Sequence, residues 1–104
     1  MVIDERAAGI EVKFIIAEIS DGSVRKTILR SSTAEYHKDI YQQLERNVGG
    51  GYNITVLGGG RLVFDKTAKR ITLFGSSTQF GRADGELAKK LLQSKYNDFK
   101  IEME

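Results

Sequence analysis

Residues 12–19 (VKFIIAEI) limit the possible folds more than any other part of the chain. In an extended strand, successive side chains point to opposite faces of the sheet. Both faces are apolar here, with Val12, Phe14 and Ile16 on one face and Ile15, Ala17 and Ile19 on the other. A strand that is apolar on both sides is typical of a sheet with both faces covered. We therefore expect residues 12–19 to be a central strand of such a sheet.

The first half of the chain continues this strand into a hairpin and a helix. Asp21-Gly22 is a common hairpin turn, so residues 24–29 are predicted to pair back as a second strand. The segment Ser32-Thr33-Ala34-Glu35 fits a capping box, S-x-x-E, at the start of a helix. Apolar side chains follow at helical spacing, at Tyr36, Ile40, Leu44 and Val48. The glycines at positions 49–51 are predicted to end this helix.

Glycine also divides the second half, where proline is absent. Strands are predicted at residues 52–57, 61–65, 70–74 and 99–103. Gly58-Gly59-Gly60 is predicted to turn the chain between the first two of these strands, and Asp84 to cap a second helix. The predicted order is β-β-α-β-β-β-α-β, which is an α/β domain built around one six-stranded mixed sheet.

Composition excludes several kinds of site. The chain of 104 residues has no cysteine and one histidine. A disulfide scaffold, a thiol nucleophile, an iron–sulfur cluster and a metal site rich in Cys or His are therefore excluded, and we expect no metal or other cofactor. The formal net charge of +2 is too small for a general nucleic-acid-binding protein.

Two further expectations concern organisation and location. No apolar run approaches the roughly 20 residues that span a bilayer, and the first residues lead into no signal-like stretch. We therefore expect a cytoplasmic protein without a membrane partner. We also expect a monomer with a single domain over residues 1–104, of which residues 1–9 are flexible.

His37 and Lys13 are the first candidates for chemistry. His37 falls in the first turns of the predicted first helix, where the positive helix end disfavours the imidazolium form and attracts phosphate. A neutral imidazole is a suitable general base near pH 7. Lys13 interrupts the apolar strand and is either a phosphate clamp or a strand-end residue that reaches water. The alternative for His37 is a half-exposed helical residue without a role.

Two glycine-rich segments are candidates for anion binding. Gly58-Gly59-Gly60-Arg61 matches neither G-x-G-x-x-G nor a P-loop, but its arginine is suited to bind an anion. Residues 75–81 (GSSTQFG) offer backbone N–H groups and hydroxyls of the kind that form anion-binding concavities. A plain turn and a plain loop are the respective alternatives.

Four segments, in this order along the chain, resemble the Janus family, which includes the small eukaryotic phosphohistidine phosphatase. They are Ala34-Glu35-Tyr36-His37-x-Asp39-Ile40-Tyr41, Leu57-Gly58-Gly59-Gly60-Arg61, Phe74-Gly75-Ser76-Ser77 and Lys95-Tyr96-x-Asp98. The resemblance covers about residues 10–103. It implies a six-stranded mixed sheet with one helix on each face, and metal-free hydrolysis of phosphohistidine-containing proteins.

The resemblance also implies roles for individual residues. His37 matches the catalytic histidine, as a general base or, in a variant mechanism, as the phosphoryl acceptor. Lys13 matches the phosphate-binding lysine of the first strand, and Ser77 the serine of the phosphate loop. The remaining implied substrate-binding residues are Tyr36, Arg30, Arg61, Ser76 and Gln79.

The phosphate loop departs from the better-known phosphatases of the family at two positions. Ser76 replaces a tyrosine and Gln79 an alanine, which reshapes the rim of the implied pocket. The leading hypothesis is a metal-independent protein-histidine phosphatase. The alternative is a non-catalytic regulatory module that binds phosphohistidine or phosphate in the same pocket. A plain structural domain is the third hypothesis, and it requires Lys13, His37 and Ser77 to lie far apart.

Overall fold

The computed structural model describes residues 9–33 and 36–104. Their elements are, in chain order, β1 (Glu11–Ser20), β2 (Arg25–Ser32), α1 (His37–Val48), β3 (Asn53–Asp65), β4 (Arg70–Phe74), α2 (Gly85–Lys95) and β5 (Lys100–Met103). The strands form one sheet in the order β2-β1-β3-β4-β5. The β4–β5 pair is parallel and the other neighbours are antiparallel, so the predicted α/β fold with a mixed sheet is confirmed.

Strand β1 has an apolar layer on each side, as its sequence predicts. One core cluster joins Val12, Phe14 and Ile16 of β1 to Ala88 and Leu92 of α2. The other joins Ile15 and Ala17 of β1 to Ile40 and Leu44 of α1. Each face of the sheet is therefore covered by one helix.

The prediction of six strands is wrong, since the described residues form five. The two strands predicted around Gly58-Gly59-Gly60 are one continuous strand, β3. Ile16 pairs with Gly58 and Ala17 with Val56, so Leu57 is the extra residue of a β-bulge.

The three glycines are explained by crowding rather than by a turn. A β-carbon at Gly58, whose φ is +147°, would lie 2.8 Å from the Cα of Ala83, and one at Gly60 would lie 2.9 Å from the carbonyl oxygen of Phe74. Only glycine permits such close neighbours on an extended strand.

Helix α1 begins later than the predicted capping box. Its N-cap is Tyr36, whose backbone N–H donates to Asp39 Oδ2 at 3.2 Å. Ser32 is the last residue of β2 and does not cap the helix, while residues 34 and 35 lie outside the described residues. The helix ends at Val48 and is followed by Gly49 with φ +74°, as predicted.

Two other local predictions are confirmed. Asp84 caps α2, because its Oδ1 accepts from the N–H groups of Glu86 at 3.0 Å and Leu87 at 3.3 Å. The β1–β2 connection is a hairpin turn, in which Oδ1 of Asp21 accepts from the N–H of Val24 at 2.7 Å.

The predicted flexible segment, residues 1–9, is almost wholly outside the described residues. Gly9 is described, and its N–H donates to the carbonyl of Phe64 at 2.8 Å. Neither helix is long and apolar enough to cross a membrane, within the part of the chain that the structure describes.

Candidate functional site

Gly59 is the point where β3, α1 and the loop after β4 meet. Strand β4 ends at Phe74, which pairs with Arg61 of β3. The part of β3 before Arg61 is therefore covered at this edge by the loop that follows β4. Gly59 N–H donates to Gly81 O at 3.0 Å, and Ala83 N–H donates to Gly59 O at 3.1 Å. A β-carbon at Gly59 would lie 2.9 Å from Cδ2 of His37 and 3.3 Å from Cβ of Ser77. His37 and Ser77 therefore pack against one position of β3.

The environment of His37 decides which ring nitrogen is the base. The side chain is 4% exposed, and its Nε2 lies 2.8 Å from the carbonyl oxygen of Gly60. Because a carbonyl oxygen only accepts, Nε2 carries the hydrogen and donates it. The unprotonated nitrogen of the neutral ring is then Nδ1, and no described residue forms a hydrogen bond with it. The arrangement presents Nδ1 as a proton acceptor.

Burial lowers the pKa of His37 below its ordinary value of 6.5. The hydrogen bond to Gly60 opposes this change, while the positive charges of Lys13 and Arg61 lower the pKa further. His37 is also the first residue of α1, where the helix dipole disfavours imidazolium. These effects keep the ring in the neutral, basic form near pH 7.

Lys13 and Arg61 form a pair of cations beside His37. Lys13 on β1 is directly opposite Arg61 on β3. The next pair on the same face of the sheet is Ile15 and Gly59. Arg61 also forms an ion pair with Glu11 at 2.9 Å, so its charge is partly balanced. Lys13 is half-buried and has no ion-pair partner among the described residues. Lys13 is therefore the cation available to an anionic ligand.

The loop after β4 is closed around Ser77, whose side chain is buried. Ser77 and Gly81 exchange two backbone hydrogen bonds, at 3.2 and 2.9 Å. Oγ of Ser77 accepts from the N–H groups of Gln79 at 3.3 Å and Phe80 at 3.1 Å. With both lone pairs of the hydroxyl used, its hydrogen remains to donate to a ligand. The N–H of Gln79 is engaged within the loop rather than presented to a ligand.

The other predicted site residues have different positions. Ser76 and Gln79 are exposed on the loop beside Ser77. Tyr36 is 49% exposed at the start of α1, and Nζ of Lys38 lies 5.6 Å from the centre of its ring. Tyr36 is thus an exposed neighbour of the buried His37, and Ser76 and Gln79 are exposed residues of the loop that contains the buried Ser77.

The guanidinium of Arg30 does not point to His37. Its Nη2 donates to Oδ1 of Asn47, which is in the last turn of α1. His37 is the first residue of the same helix, about 15 Å away at 1.5 Å per residue. The guanidinium of Arg30 is therefore held towards the end of α1 that is remote from His37, although Arg30 itself pairs with Ile15 of β1.

Sequence reasoning missed three contributors to the site. Gly59 provides the surface for His37 and Ser77, Gly60 fixes the tautomer of His37, and Glu11 pairs with Arg61. The glycine run is the available signal for the first two, but its sequence predicts a turn rather than the observed strand. Among residues 9–33 and 36–104, no group of three or more His, Asp or Glu side chains is arranged to hold a metal ion.

Comparison with known proteins supports the family resemblance. The family model of Janus/Ocnus matches residues 3–100. This chain belongs to the Janus/Ocnus family.

Individual Janus proteins are similar over most of the chain. Sex-regulated protein janus-A of Drosophila pseudoobscura pseudoobscura is 34% identical over 88 residues, which cover 82% of this chain and 59% of the relative. Sex-regulated protein janus-B of Drosophila erecta is 35% identical over 79 residues, covering 73% of this chain and 56% of the relative. The chain therefore spans a little more than half the length of these two Janus proteins.

A third relative carries a name that describes chemistry. The 14 kDa phosphohistidine phosphatase of Sus scrofa is 28% identical over 81 residues, which cover 77% of this chain and 64% of the relative. This chain is thus similar both to proteins named for regulation by sex and to a protein named for its activity.

Proposed function

We propose that this protein is a metal-independent phosphatase that hydrolyses phosphohistidine in proteins, with His37 as the general base. The observation that carries the proposal is the hydrogen bond from His37 Nε2 to Gly60, which leaves Nδ1 as the basic nitrogen of the ring. This ring packs against Gly59 together with Ser77, and the positive charge of Lys13 acts on it. Membership of the Janus/Ocnus family and the similarity to the Sus scrofa phosphatase support it.

In this mechanism His37 Nδ1 takes a proton from a water molecule in line with the P–N bond. The water oxygen bonds to phosphorus as the P–N bond breaks. The electron pair of the P–N bond goes to the nitrogen of the substrate imidazole. With a proton on its other nitrogen, that imidazole leaves as a neutral ring. Removal of a proton by a positioned base typically contributes about 10²–10⁴-fold to the rate.

The other residues bind and stabilise the phosphoryl group. The Nζ of Lys13 provides a point charge, and the hydroxyl of Ser77 donates its free hydrogen to a phosphoryl oxygen. Arg61 adds a weaker field, because Glu11 balances part of its charge. Positioning and charge stabilisation are the main requirements of phosphoryl transfer, and the labile P–N bond reduces what else the site must supply.

The test measures phosphate release from a chemically phosphorylated histidine protein in the presence of EDTA. The decisive variant is His37→Gln, because a glutamine amide can still donate to the carbonyl of Gly60 but provides no base. We expect release by the wild type and none above background by the variant, with unchanged circular dichroism. Lys13→Gln should raise KM, whereas Lys66→Gln, at an exposed turn position, removes the same charge without effect.

Other outcomes of this test support different functions. Tight binding of a phosphohistidine peptide without release by the wild type would support the regulatory module instead. Acid-labile label trapped on His37 after rapid quenching would support phosphoryl transfer to His37 in place of general-base catalysis. Normal release by His37→Gln would refute any catalytic role of this residue.

A further inference from the structure

A second concave surface lies on the same face of the sheet, at the end of α1 remote from His37. It is a cleft of about 690 Å³ between β2, the end of β1, the last turns of α1 and Tyr52. This volume is within the range of about 300–1,000 Å³ that is usual for small-molecule sites. His37, Lys13 and Ser77 do not line the cleft, so it is a second surface.

Most side chains of the cleft are apolar. They are Ile19, Val24, Ile28, Leu44, Val48 and Tyr52. Ile28 and Leu44 are buried and form its floor, whereas Val24 is 66% exposed and Tyr52 49% exposed. Large apolar side chains that remain exposed around an apolar floor are typical of a binding surface.

The charges of the cleft favour an anion. Arg30 and Lys26 both line it, and Arg30 is half-buried. Its guanidinium is held by the neutral side chain of Asn47, and no described carboxylate pairs with it. A fixed guanidinium without a carboxylate partner is prepared to bind one.

Asp21 is the one carboxylate that lines the cleft within the described part of the chain. Its Oδ1 already accepts from the N–H groups of Ser23 at 2.9 Å and Val24 at 2.7 Å. The negative charge of Asp21 is therefore directed at the hairpin turn, and the potential of the cleft is dominated by its two cations.

We propose that this cleft binds a small amphiphilic carboxylate, with its alkyl or aryl body on Ile28 and Leu44 and its carboxylate on Arg30. The apolar floor selects the body, and the guanidinium selects the charge. This site is independent of the proposed phosphatase activity, so either can fail without the other.

The experiment is an NMR titration of amide signals of the full chain with octanoate. Octyltrimethylammonium, which has an alkyl chain of similar length and the opposite charge, is the control ligand. We expect saturable shifts at Val24, Val48 and Tyr52 with octanoate and much weaker ones with the cation. Arg30→Gln should weaken octanoate binding about ten-fold, the usual effect of losing one charge-assisted contact.

The matched control is Arg25→Gln, which removes the same charge from the same strand. Arg25 pairs with Glu18 at 3.3 Å and does not line the cleft, so octanoate binding should be unchanged. If Arg30→Gln fails to fold, Val24→Asp is the second variant. It places a carboxylate in the cleft at an exposed position and should abolish octanoate binding. Absence of saturable shifts, equal binding of the cation, or equal weakening by Arg25→Gln would overturn the proposal.

Discussion

The imidazole of His37 occupies the space that a side chain at Gly59 would need. A β-carbon at this position would lie 2.9 Å from Cδ2 of His37 and 2.7 Å from the carbonyl oxygen of Phe14. The carbonyl belongs to the paired strand β1 and cannot move without disturbing the sheet. The position of the proposed base therefore depends on the absence of a side chain on β3.

Gly59→Ala should consequently displace His37 and reduce both activity and stability. Overpacking a site of this kind costs about 1–3 kcal/mol in the free energy of unfolding. Urea denaturation and phosphate release measure the two effects. The control is Gly50→Ala, where a β-carbon has no neighbour within 4 Å. A Gly59→Ala protein as stable and active as Gly50→Ala would show that the contact is unimportant.

The pKa of His37 predicts how stability depends on pH. Its pKa is lowered in the folded protein, so the unfolded chain binds the proton more readily below the ordinary value of 6.5. The contribution of neutral His37 to the free energy of unfolding is therefore complete above the ordinary pKa, and it is lost as the pH falls through the lowered pKa of the folded protein. We expect the free energy of unfolding of the wild type to fall relative to His37→Gln when the pH is lowered from about 8 to about 5. Parallel curves for the two proteins would contradict this prediction.

Lys13 should influence the proton equilibrium of His37 directly. Its positive charge is one cause of the lowered pKa, so Lys13→Met should raise the pKa of His37. An NMR titration of the imidazole measures this without ambiguity, because the chain has one histidine. Lys66→Met is the control at an exposed turn position. An equal change in both variants would indicate a general charge effect.

Ser77 and Ser76 provide a matched pair in the loop. Ser77→Ala leaves the N–H groups of Gln79 and Phe80 without their acceptor, which should cost about 1–3 kcal/mol of stability and weaken phosphate binding. Ser76 is exposed, so Ser76→Ala should be nearly neutral for stability. Thermal denaturation and a phosphate titration test both statements, and equal stabilities would argue against the role of the Ser77 hydroxyl in the loop.

Asp84 should stabilise α2 through its cap. Its carboxylate accepts from two backbone N–H groups at the start of the helix. Asp84→Ala should lower the free energy of unfolding by about 1 kcal/mol, whereas Asp84→Asn should retain most of it, since asparagine caps equally well. A similar loss in both variants would mean that charge, rather than capping, is responsible.

Local sequence patterns determined most of the elements of this protein. The two apolar faces of β1, the Asp21 turn, the Asp84 cap and the glycines after α1 each act within a few residues of chain, so each could be predicted. The start of α1 was misplaced because Ser32 is used by β2 instead. The match of the family motifs also identified His37, Lys13 and Ser77 as candidates.

Tertiary structure alone decided what the glycine run does and where the candidate residues lie. Glycine permits a turn and a crowded strand equally, and the choice at Gly58-Gly59-Gly60 is made by His37, Phe14 and Ala83, which approach from three distant segments. The tautomer of His37 depends on a carbonyl 23 residues away, at Gly60. The position of the Arg30 guanidinium depends on a side-chain amide 17 residues away, at Asn47. A sequence fixes which groups a chain has, but only packing determines which of them meet.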